Sequence, residues 1–102
     1  MYLRMVIGEM THDDQLREFR NIFKEECIPI LREEPGFQRG DLAIEEDGRM
    51  AVIITVWDTR DNCLKHHSSR AYRQFVAKTQ HLLVGNFVVK LFRMEGSWLR
   101  AS

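Results

Sequence analysis

The sequence has no hydrophobic run long enough to cross a membrane. Its longest apolar stretch, Met50–Trp57, has eight residues, whereas a transmembrane helix needs roughly 20. Near the amino terminus, residues 3–7 are apolar apart from Arg4 and are soon followed by Glu9, which is too short for the apolar core of a signal peptide. We therefore expect no membrane partner and a cytoplasmic location.

Neither sign of charge is in excess, and cysteine is scarce. Lysine plus arginine and aspartate plus glutamate number 15 each, so no general attraction to nucleic acid is expected. The two cysteines, Cys27 and Cys63, lie in separate predicted helices without the spacing of a redox pair, and two cysteines do not make a disulfide framework. A reducing compartment and no nucleic-acid partner are the expectations.

Motifs for cofactors and metals are also missing. The sequence contains no GxGxxG, Walker loop, HExxH or CxxC pattern. Cys63 and His66 lie three residues apart on one helical face, but further ligands in register are lacking, and a metal site needs more than two. We expect no cofactor and no metal.

Hydrophobic periodicity predicts one domain with the element order βαββαβ. Strands are predicted at residues 2–10, 37–46, 49–58 and 86–95. The second crossover is split between helices at residues 59–67 and 69–83, the latter with an apolar side of Tyr72, Phe75, Val76, Thr79 and Leu82. The predicted fold is α+β and ferredoxin-like, with a four-stranded antiparallel sheet over residues 1–96 and a tail at residues 97–102.

The first helix and the turns have local signals of their own. Thr11-His12-Asp13-Asp14 has the form of a helix start, and apolar residues then recur at helical spacing: Leu16, Phe19, Phe23, Cys27 and Ile30. Pro29 lacks an amide hydrogen, so we expect a bent or loosened last turn before Pro35-Gly36 ends the helix. Asp47-Gly48 predicts a two-residue hairpin turn.

The third strand is apolar on both faces. Alternation places Met50, Val52, Ile54 and Val56 on one side and Ala51, Ile53, Thr55 and Trp57 on the other. Helices can cover one of these faces, and a second copy of the chain is the simplest cover for the other. A homodimer is predicted, with a monomer as the alternative. Trp98 and Leu99 of the tail either dock on the partner or form a frayed end.

The densest group of functionally capable side chains lies where the third strand passes into the helices: Trp57, Asp58, Cys63, His66, His67 and Tyr72. Trp57 could stack on an aromatic ligand or belong to the core, and Tyr72 could bind a ligand oxygen or pack in the core. His66 and His67 point about 100° apart on a helix, so at most one faces a pocket. A neutral pocket histidine can take a proton from a phenol, whereas the alternative is a capping or surface histidine.

The arginines on predicted strands include Arg4, Arg39 and Arg93. A buried arginine would require an anionic partner or ligand. The direction in which each side chain points stays open at this level.

The segment Thr55-Val56-Trp57-Asp58-Thr59-Arg60-Asp61-Asn62-Cys63-Leu64-Lys65-His66, followed by Ser69, Tyr72 and Phe75, resembles the antibiotic biosynthesis monooxygenase family. That family's pattern has a tryptophan at the end of the third strand, a histidine nine residues on, and an aromatic residue plus a phenylalanine on the next helix. Pro35-Gly36-Phe37 resembles its turn into the second strand. The resemblance implies a dimeric α/β barrel around a small-molecule pocket.

Members of that family include monooxygenases that oxidise polycyclic phenols or quinols without metal or flavin, isomerases of small signalling molecules, and haem-degrading enzymes. The haem-degrading branch has a tryptophan in place of His66 and a histidine in place of Val76, which argues against haem degradation here. A polyketide-oxidising member has an asparagine and a tyrosine where this chain has Ile53 and Cys63, so that mechanism does not carry over intact.

Because these activities differ, the resemblance by itself implies a pocket and not a reaction. The leading hypothesis is a cofactor-independent monooxygenase acting on a small aromatic molecule, a phenol or quinol. His66 is the candidate catalytic base, and Trp57 and Tyr72 are the candidate substrate-binding residues. The alternative is a non-catalytic dimeric module that binds a small molecule.

Overall fold

Four antiparallel strands form one sheet in the computed structural model, which describes residues 1–101. They are β1 (Tyr2–Glu9), β2 (Phe37–Ile44), β3 (Met50–Trp57) and β4 (Val88–Arg93), in the spatial order β2-β3-β1-β4. Strand β1 lies between β3 and β4, and β3 lies between β1 and β2. The predicted α+β, ferredoxin-like fold with a four-stranded antiparallel sheet is confirmed.

Helical segments pack on one face of this sheet. They are α1 (Asp13–Ile22), a π-helical segment (Phe23–Cys27), α2 (Ile28–Leu31), α3 (Arg60–His67), α4 (Arg70–Thr79) and a 3-10 turn (Gln80–Leu82). The hydroxyls of Thr59 and Ser69 accept bonds from amides of the first turns of α3 and α4. In residues 1–101, no helix is long and apolar enough to cross a membrane.

The start of α1 differs slightly from the predicted cap. His12 is the N-cap residue, and the side-chain oxygen of Gln15 accepts hydrogen bonds from the amides of Thr11 (2.8 Å) and His12 (3.1 Å). The sequence predicted that Asp14 would form the hydrogen bond to the N-cap backbone, whereas Gln15 forms it in the structure.

The π-helical segment shifts the buried face of the first helix by one residue. The amide of Ile28 donates to the carbonyl of Phe23, five residues back, and Pro29 follows without an amide hydrogen. A π turn contains one more residue than an α turn. Leu31 is consequently buried at 1% exposure, whereas Ile30 is 46% exposed. The loosened last turn is confirmed, but the prediction that Ile30 faces the core is wrong.

Strands β2 and β3 form the predicted hairpin with a longer turn than expected. The amide of Glu45 donates to the carbonyl of Met50 (2.8 Å), so residues 46–49 form a four-residue loop. Asp47 has a φ of 58°, while Gly48 lacks a positive φ. The side chain of Glu45 accepts a bond from the amide of Arg49 (3.1 Å), which stabilises the longer loop. The predicted two-residue turn is therefore wrong.

The two faces of the sheet are both apolar but differ in their surroundings. The helix side is formed in its centre by alternate residues of β1 and β3, namely Arg4, Val6, Gly8, Ala51, Ile53, Thr55 and Trp57, all buried. The opposite side, called the open face below, contains Leu3, Met5, Ile7, Val52, Ile54, Val56, Val88 and Phe92, and the edge strands add the charged residues Arg39, Asp41 and Lys90 to it. Val88 and Phe92 are 51% and 43% exposed there. The two apolar faces predicted for β3 are present.

Candidate functional site

Polar and aromatic side chains from four parts of the chain meet between the sheet and the helices, where β3 passes into α3. Arg4 comes from β1, Trp57 from β3, His66 from α3 and Tyr72 from α4. Glu34 joins them from the turn before β2. Gly36 holds this turn with a φ of 81°, and its carbonyl accepts a bond from the amide of Asp58 (2.9 Å). The turn thereby brings Glu34 against α3.

His66 lies at the centre of this group and is 6% exposed. Its Nδ1 lies 2.8 Å from Oε2 of Glu34. Burial, with smaller effects from positive Arg4 and from His67, lowers the pKa of His66 to about 3, and the Glu34 carboxylate acts in the opposite direction. We assign a neutral imidazole that donates from Nδ1 to Glu34 and keeps a free lone pair on Nε2.

Trp57 is fully buried behind His66. The two rings stack with their centroids 5.0 Å apart and an interplanar angle of 24°. The indole Nε1 donates to the hydroxyl of Thr55 (3.0 Å), and Phe37 packs against the indole edge. Trp57 thus supports the imidazole from behind, and it lies behind the cavity walls described below.

Arg4 faces the helices and is 1% exposed. Its Nε donates to Nδ1 of His67 (3.2 Å), and its guanidinium carbon lies 4.1 Å from the centroid of the Tyr72 ring. Tyr72 contacts both histidines, with centroids 5.8 Å from His66 and 5.9 Å from His67. Nη2 of Arg4 is buried without a hydrogen-bond partner in the described chain. The remaining strand arginines, Arg39 and Arg93, are exposed and form ion pairs there.

Two small cavities share a wall beside this group. The inner cavity, of about 10 Å³, has Arg4, His66 and Tyr72 on its wall together with apolar side chains, Thr55 and Cys27. The outer cavity, of about 30 Å³, lies between the Phe23–Leu31 region and α4. Cavities of this size hold water molecules but are too small for an aromatic ring. A ligand therefore requires the helices to move apart.

Two polar contacts lie beside the outer cavity. Lys78 of α4 is paired with Glu26 of the π-helical segment, and Glu34 is bonded to His66. Glu26, Glu34, His66 and Lys78 all line the outer cavity. The cleft between the π-helical segment and α4 therefore adjoins His66.

The other candidate residues have structural surroundings. Asp58 is exposed at the start of α3, where it accepts a bond from Asn62 (2.9 Å). Burial raises the pKa of Cys27 to about 12 and also raises that of Cys63, so both remain thiols at neutral pH. Within residues 1–101, no group of three or more His, Cys, Asp or Glu side chains could hold a metal ion.

The family sequence model for antibiotic biosynthesis monooxygenases matches residues 4–78, which is well over half of the chain and includes every residue of this group. The chain belongs to the antibiotic biosynthesis monooxygenase family. The resemblance inferred from the motif is thus confirmed, and membership supports a monooxygenase-like role. No curated protein matches the chain.

Solved structures confirm the fold of this family member. Rv0793 from Mycobacterium tuberculosis is 21% identical with a TM-score of 0.76, covering 95% of this chain and 98% of its own. The monooxygenase of the gene ActVA-Orf6 of Streptomyces coelicolor, in complex with nanaomycin D, is 14% identical with a TM-score of 0.86, covering 98% and 92%. SnoaB of Streptomyces nogalater, a cofactor-independent oxygenase, is 21% identical with a TM-score of 0.75, covering 94% and 95%.

The structure brings together the three site residues predicted from the sequence of this family member. His66 contacts both Trp57 and Tyr72. Sequence reasoning missed Glu34, because its only local signal is the Pro35-Gly36 turn that follows it. The inward orientation of Arg4 was also open, since charge alone would place an arginine on the outer face of a strand.

Proposed function

We propose that this protein binds a small electron-rich phenol or quinol between the sheet and the helices and oxidises it with molecular oxygen, without a metal or an organic cofactor. The observation that carries the proposal is the Glu34–His66 pair, in which a buried neutral imidazole lines the cavity with Tyr72. Two structural relatives, the cofactor-independent oxygenase SnoaB and the Streptomyces coelicolor monooxygenase in complex with nanaomycin D, support the same class of chemistry.

His66 is the general base in this proposal. Its Nε2 takes the proton of the phenolic hydroxyl, and the imidazolium that forms is stabilised by the Glu34 carboxylate at Nδ1. Trp57 positions the imidazole, while Tyr72 contacts the substrate ring from the wall of the inner cavity.

The oxidation balances without an added reductant. For a phenol with a hydrogen at the reacting carbon, HO–Ar–H plus O₂ gives O=Ar=O plus H₂O. The ring loses four electrons, one oxygen atom enters the ring, and the other leaves as water. The protein has to bind the phenol, deprotonate it and exclude bulk water, because the phenolate itself is the reductant.

The same proposal includes a homodimer formed through the open face of the sheet. Its strands present apolar side chains at Met5, Ile54 and Phe92, while the ion pair between Arg39 and Asp41 lies on the edge strand β2. An apolar centre with a polar rim is typical of protein interfaces, and twofold dimers are the commonest soluble oligomers.

A non-catalytic binding module is the competing candidate. It is favoured by the low pKa of His66, about 3, because an imidazole that resists protonation is also a weak base. The two candidates share the ligand pocket and differ in whether the proton moves to His66 during turnover.

Oxygen consumption tests the proposal directly. Chelator-treated protein is mixed with a panel of naphthols and naphthohydroquinones, and oxygen uptake and quinone formation are followed. We expect turnover by the parent protein and a loss of at least about 100-fold in kcat for His66→Ala, the typical contribution of a general base. His81→Ala, which alters an exposed histidine of the 3-10 turn, is the matched control and should leave kcat unchanged.

Two results would count against the proposal. Unchanged turnover in His66→Ala removes His66 from the base role. A parent protein that is stabilised by the same phenols, but never consumes oxygen above the uncatalysed rate, is a binding module instead.

A further inference from the structure

The guanidinium of Arg4 has more hydrogen-bond donors than the protein satisfies. Nε is used by His67, and one face of the group covers the Tyr72 ring. Nη2 is buried and lacks a partner among residues 1–101, although buried donors are almost always paired in folded proteins. The side chain forms part of the wall of the inner cavity.

Nothing around Arg4 compensates its charge directly. In the described chain, no carboxylate lies within ion-pair distance of Arg4, whereas the exposed Arg39 and Arg93 each have one. The thiols of Cys27 and Cys63 are uncharged, and Glu34 is engaged with His66. A protonated guanidinium thus lies in the protein interior with no carboxylate in direct contact, and its charge acts on Glu34 only from a longer distance.

Packing alone does not account for an arginine at this position. A buried, unpaired charge costs free energy, and an apolar side chain of similar length would fill the same space without that cost. The contact with Tyr72 stabilises the cation but leaves Nη2 unsatisfied. A bound anionic oxygen would satisfy Nη2 and neutralise the charge at once.

The other residues that line the inner cavity favour an aromatic ligand as the carrier of this anionic oxygen. Its apolar wall is formed by Val6, Phe23, Leu31, Ile53 and Phe75. Phe23 and Phe75 pack edge to face with their centroids 6.2 Å apart, so a planar ring entering between them meets aromatic surface.

We infer that Arg4 is the receptor for an anionic oxygen on the ligand, so that the ligand of this pocket is an aromatic acid, either an aryl carboxylate or a phenol that is ionised at neutral pH. This inference rests on the pocket of the proposed function and adds the charge of its ligand. Arg4 binds the oxygen through Nη2, while His66 on the same wall remains free to exchange a proton with a second hydroxyl.

Matched ligand pairs test the inference on the wild-type protein. The first pair is 2-naphthoate and 2-naphthamide, and the second is 2-hydroxy-1,4-naphthoquinone, which is ionised at neutral pH, and its methyl ether. Affinities are measured by isothermal titration calorimetry at pH 7. We expect the charged member of at least one pair to bind ten- to a hundredfold more tightly than its neutral partner, the effect of one hydrogen bond to a charged group. The pair with the larger ratio identifies the source of the oxygen.

Variants assign the preference to Arg4. Arg4→Met should abolish the discrimination and, since it removes an uncompensated buried charge, keep or raise the melting temperature. Arg4→Lys should retain part of the preference because it keeps the charge. Arg17→Met, which alters an exposed arginine of α1, should bind like the wild type.

The outcomes separate the inference from the proposed function. Equal binding of charged and neutral members by the wild type overturns the role of Arg4 while leaving the pocket intact, even where Arg4→Met does not fold. A folded Arg4→Met that keeps the full preference overturns it as well. Failure of all four compounds to bind the wild type overturns the pocket itself and, with it, the inference.

Discussion

The charge state of His66 is decided by its surroundings and not by its residue type. Removal from water disfavours the imidazolium, and Arg4 repels it further. Glu34 at 2.8 Å supports protonation only when a proton arrives, for example from a substrate hydroxyl. The residue therefore rests in its neutral form over the whole physiological range, which is the form that a general base requires.

The pH dependence of stability should report this burial. The pKa of His66 is about 3 in the folded protein and about 6.5 in the unfolded chain, so the unfolded state binds more protons below pH 6.5. Stability contributed by this residue is present above pH 6.5 and falls continuously towards pH 3. From pH 7 to pH 5 we expect His66 to contribute a loss of about 2 kcal/mol to the free energy of unfolding, measured by urea denaturation.

A conservative variant isolates the contribution of His66. His66→Gln can still donate to Glu34 but does not titrate, so it should lose about 2 kcal/mol less than the wild type over the same range. His81→Gln, at an exposed position, should keep the wild-type dependence. An identical pH dependence in His66→Gln would show that the imidazole is not buried as described.

At the scale of elements, the π-helical segment determines what the first helix contributes to the site. Its extra residue turns Leu31 onto the inner cavity and leaves Cys27 on the same wall. Pro29 prevents a regular helix from continuing through this region, because it cannot donate to a carbonyl in the preceding turn. We expect this irregular helix to move away from α4 when a ligand enters.

The ion pair between Glu26 and Lys78 should slow ligand entry slightly while adding little stability. Both side chains are about half exposed, and such pairs contribute at most about 0.5 kcal/mol. We expect Glu26→Gln to bind 2-naphthoate about twofold faster in stopped-flow fluorescence, with an unchanged free energy of unfolding within that limit.

Glu25→Gln provides the control for this experiment. Glu25 belongs to the same π-helical segment, is exposed, and forms no ion pair with the residues that the structure describes. If 2-naphthoate binds to Glu26→Gln no faster than to Glu25→Gln, the ligand does not enter through the cleft beside the Glu26–Lys78 pair.

At the scale of the whole molecule, the open face of the sheet is the apolar surface that the helices do not cover. Its central strands β1 and β3 are apolar on both sides, so the helices bury one half of their side chains, while the other half, apart from buried Val56, is partly accessible. The tail adds exposed Trp98 and Leu99, while Ser102 lies outside the described residues. Apolar faces of this kind mark interaction surfaces.

The proposed homodimer predicts a solution mass of about twice the 12.1 kDa of one chain, measured by light scattering. Ile54 lies in the middle of the open face, paired with Met5 and Asp41 of the neighbouring strands. Ile54→Lys should yield a folded monomer, because a dimer through this face would bury an added charge from each protomer in an apolar interface.

Val84→Lys is the matched control, since Val84 is exposed in the loop before β4 and belongs to none of the four strands that form the open face. It should remain a dimer. A wild-type mass of 12.1 kDa at micromolar concentration would contradict the dimer and leave the open face without the proposed cover.

The element order and the fold were accessible from the sequence because each depends on neighbours along the chain. The alternation in β3, the helical spacing from Leu16 to Cys27 and the motif from Trp57 to His66 are local patterns. Errors arose where a local rule met a competing contact. The hydrogen bond that the Glu45 side chain accepts from the Arg49 amide stabilises a longer hairpin loop than predicted. The π turn places Leu31 in the core and leaves Ile30 exposed.

The sequence by itself determined that this chain forms a βαββαβ domain with His66, Trp57 and Tyr72 near one end of the sheet, because hydrophobic periodicity and strand order restrict the alternatives. Only the tertiary structure decided which face of β1 turns inward. Both Leu3-Met5-Ile7 and Arg4-Val6-Gly8 are compatible with burial, and a shift by one residue would exchange them. The contacts of Glu34 with His66 and of Arg4 with His67 depend on that register, since they join residues 32 and 63 positions apart.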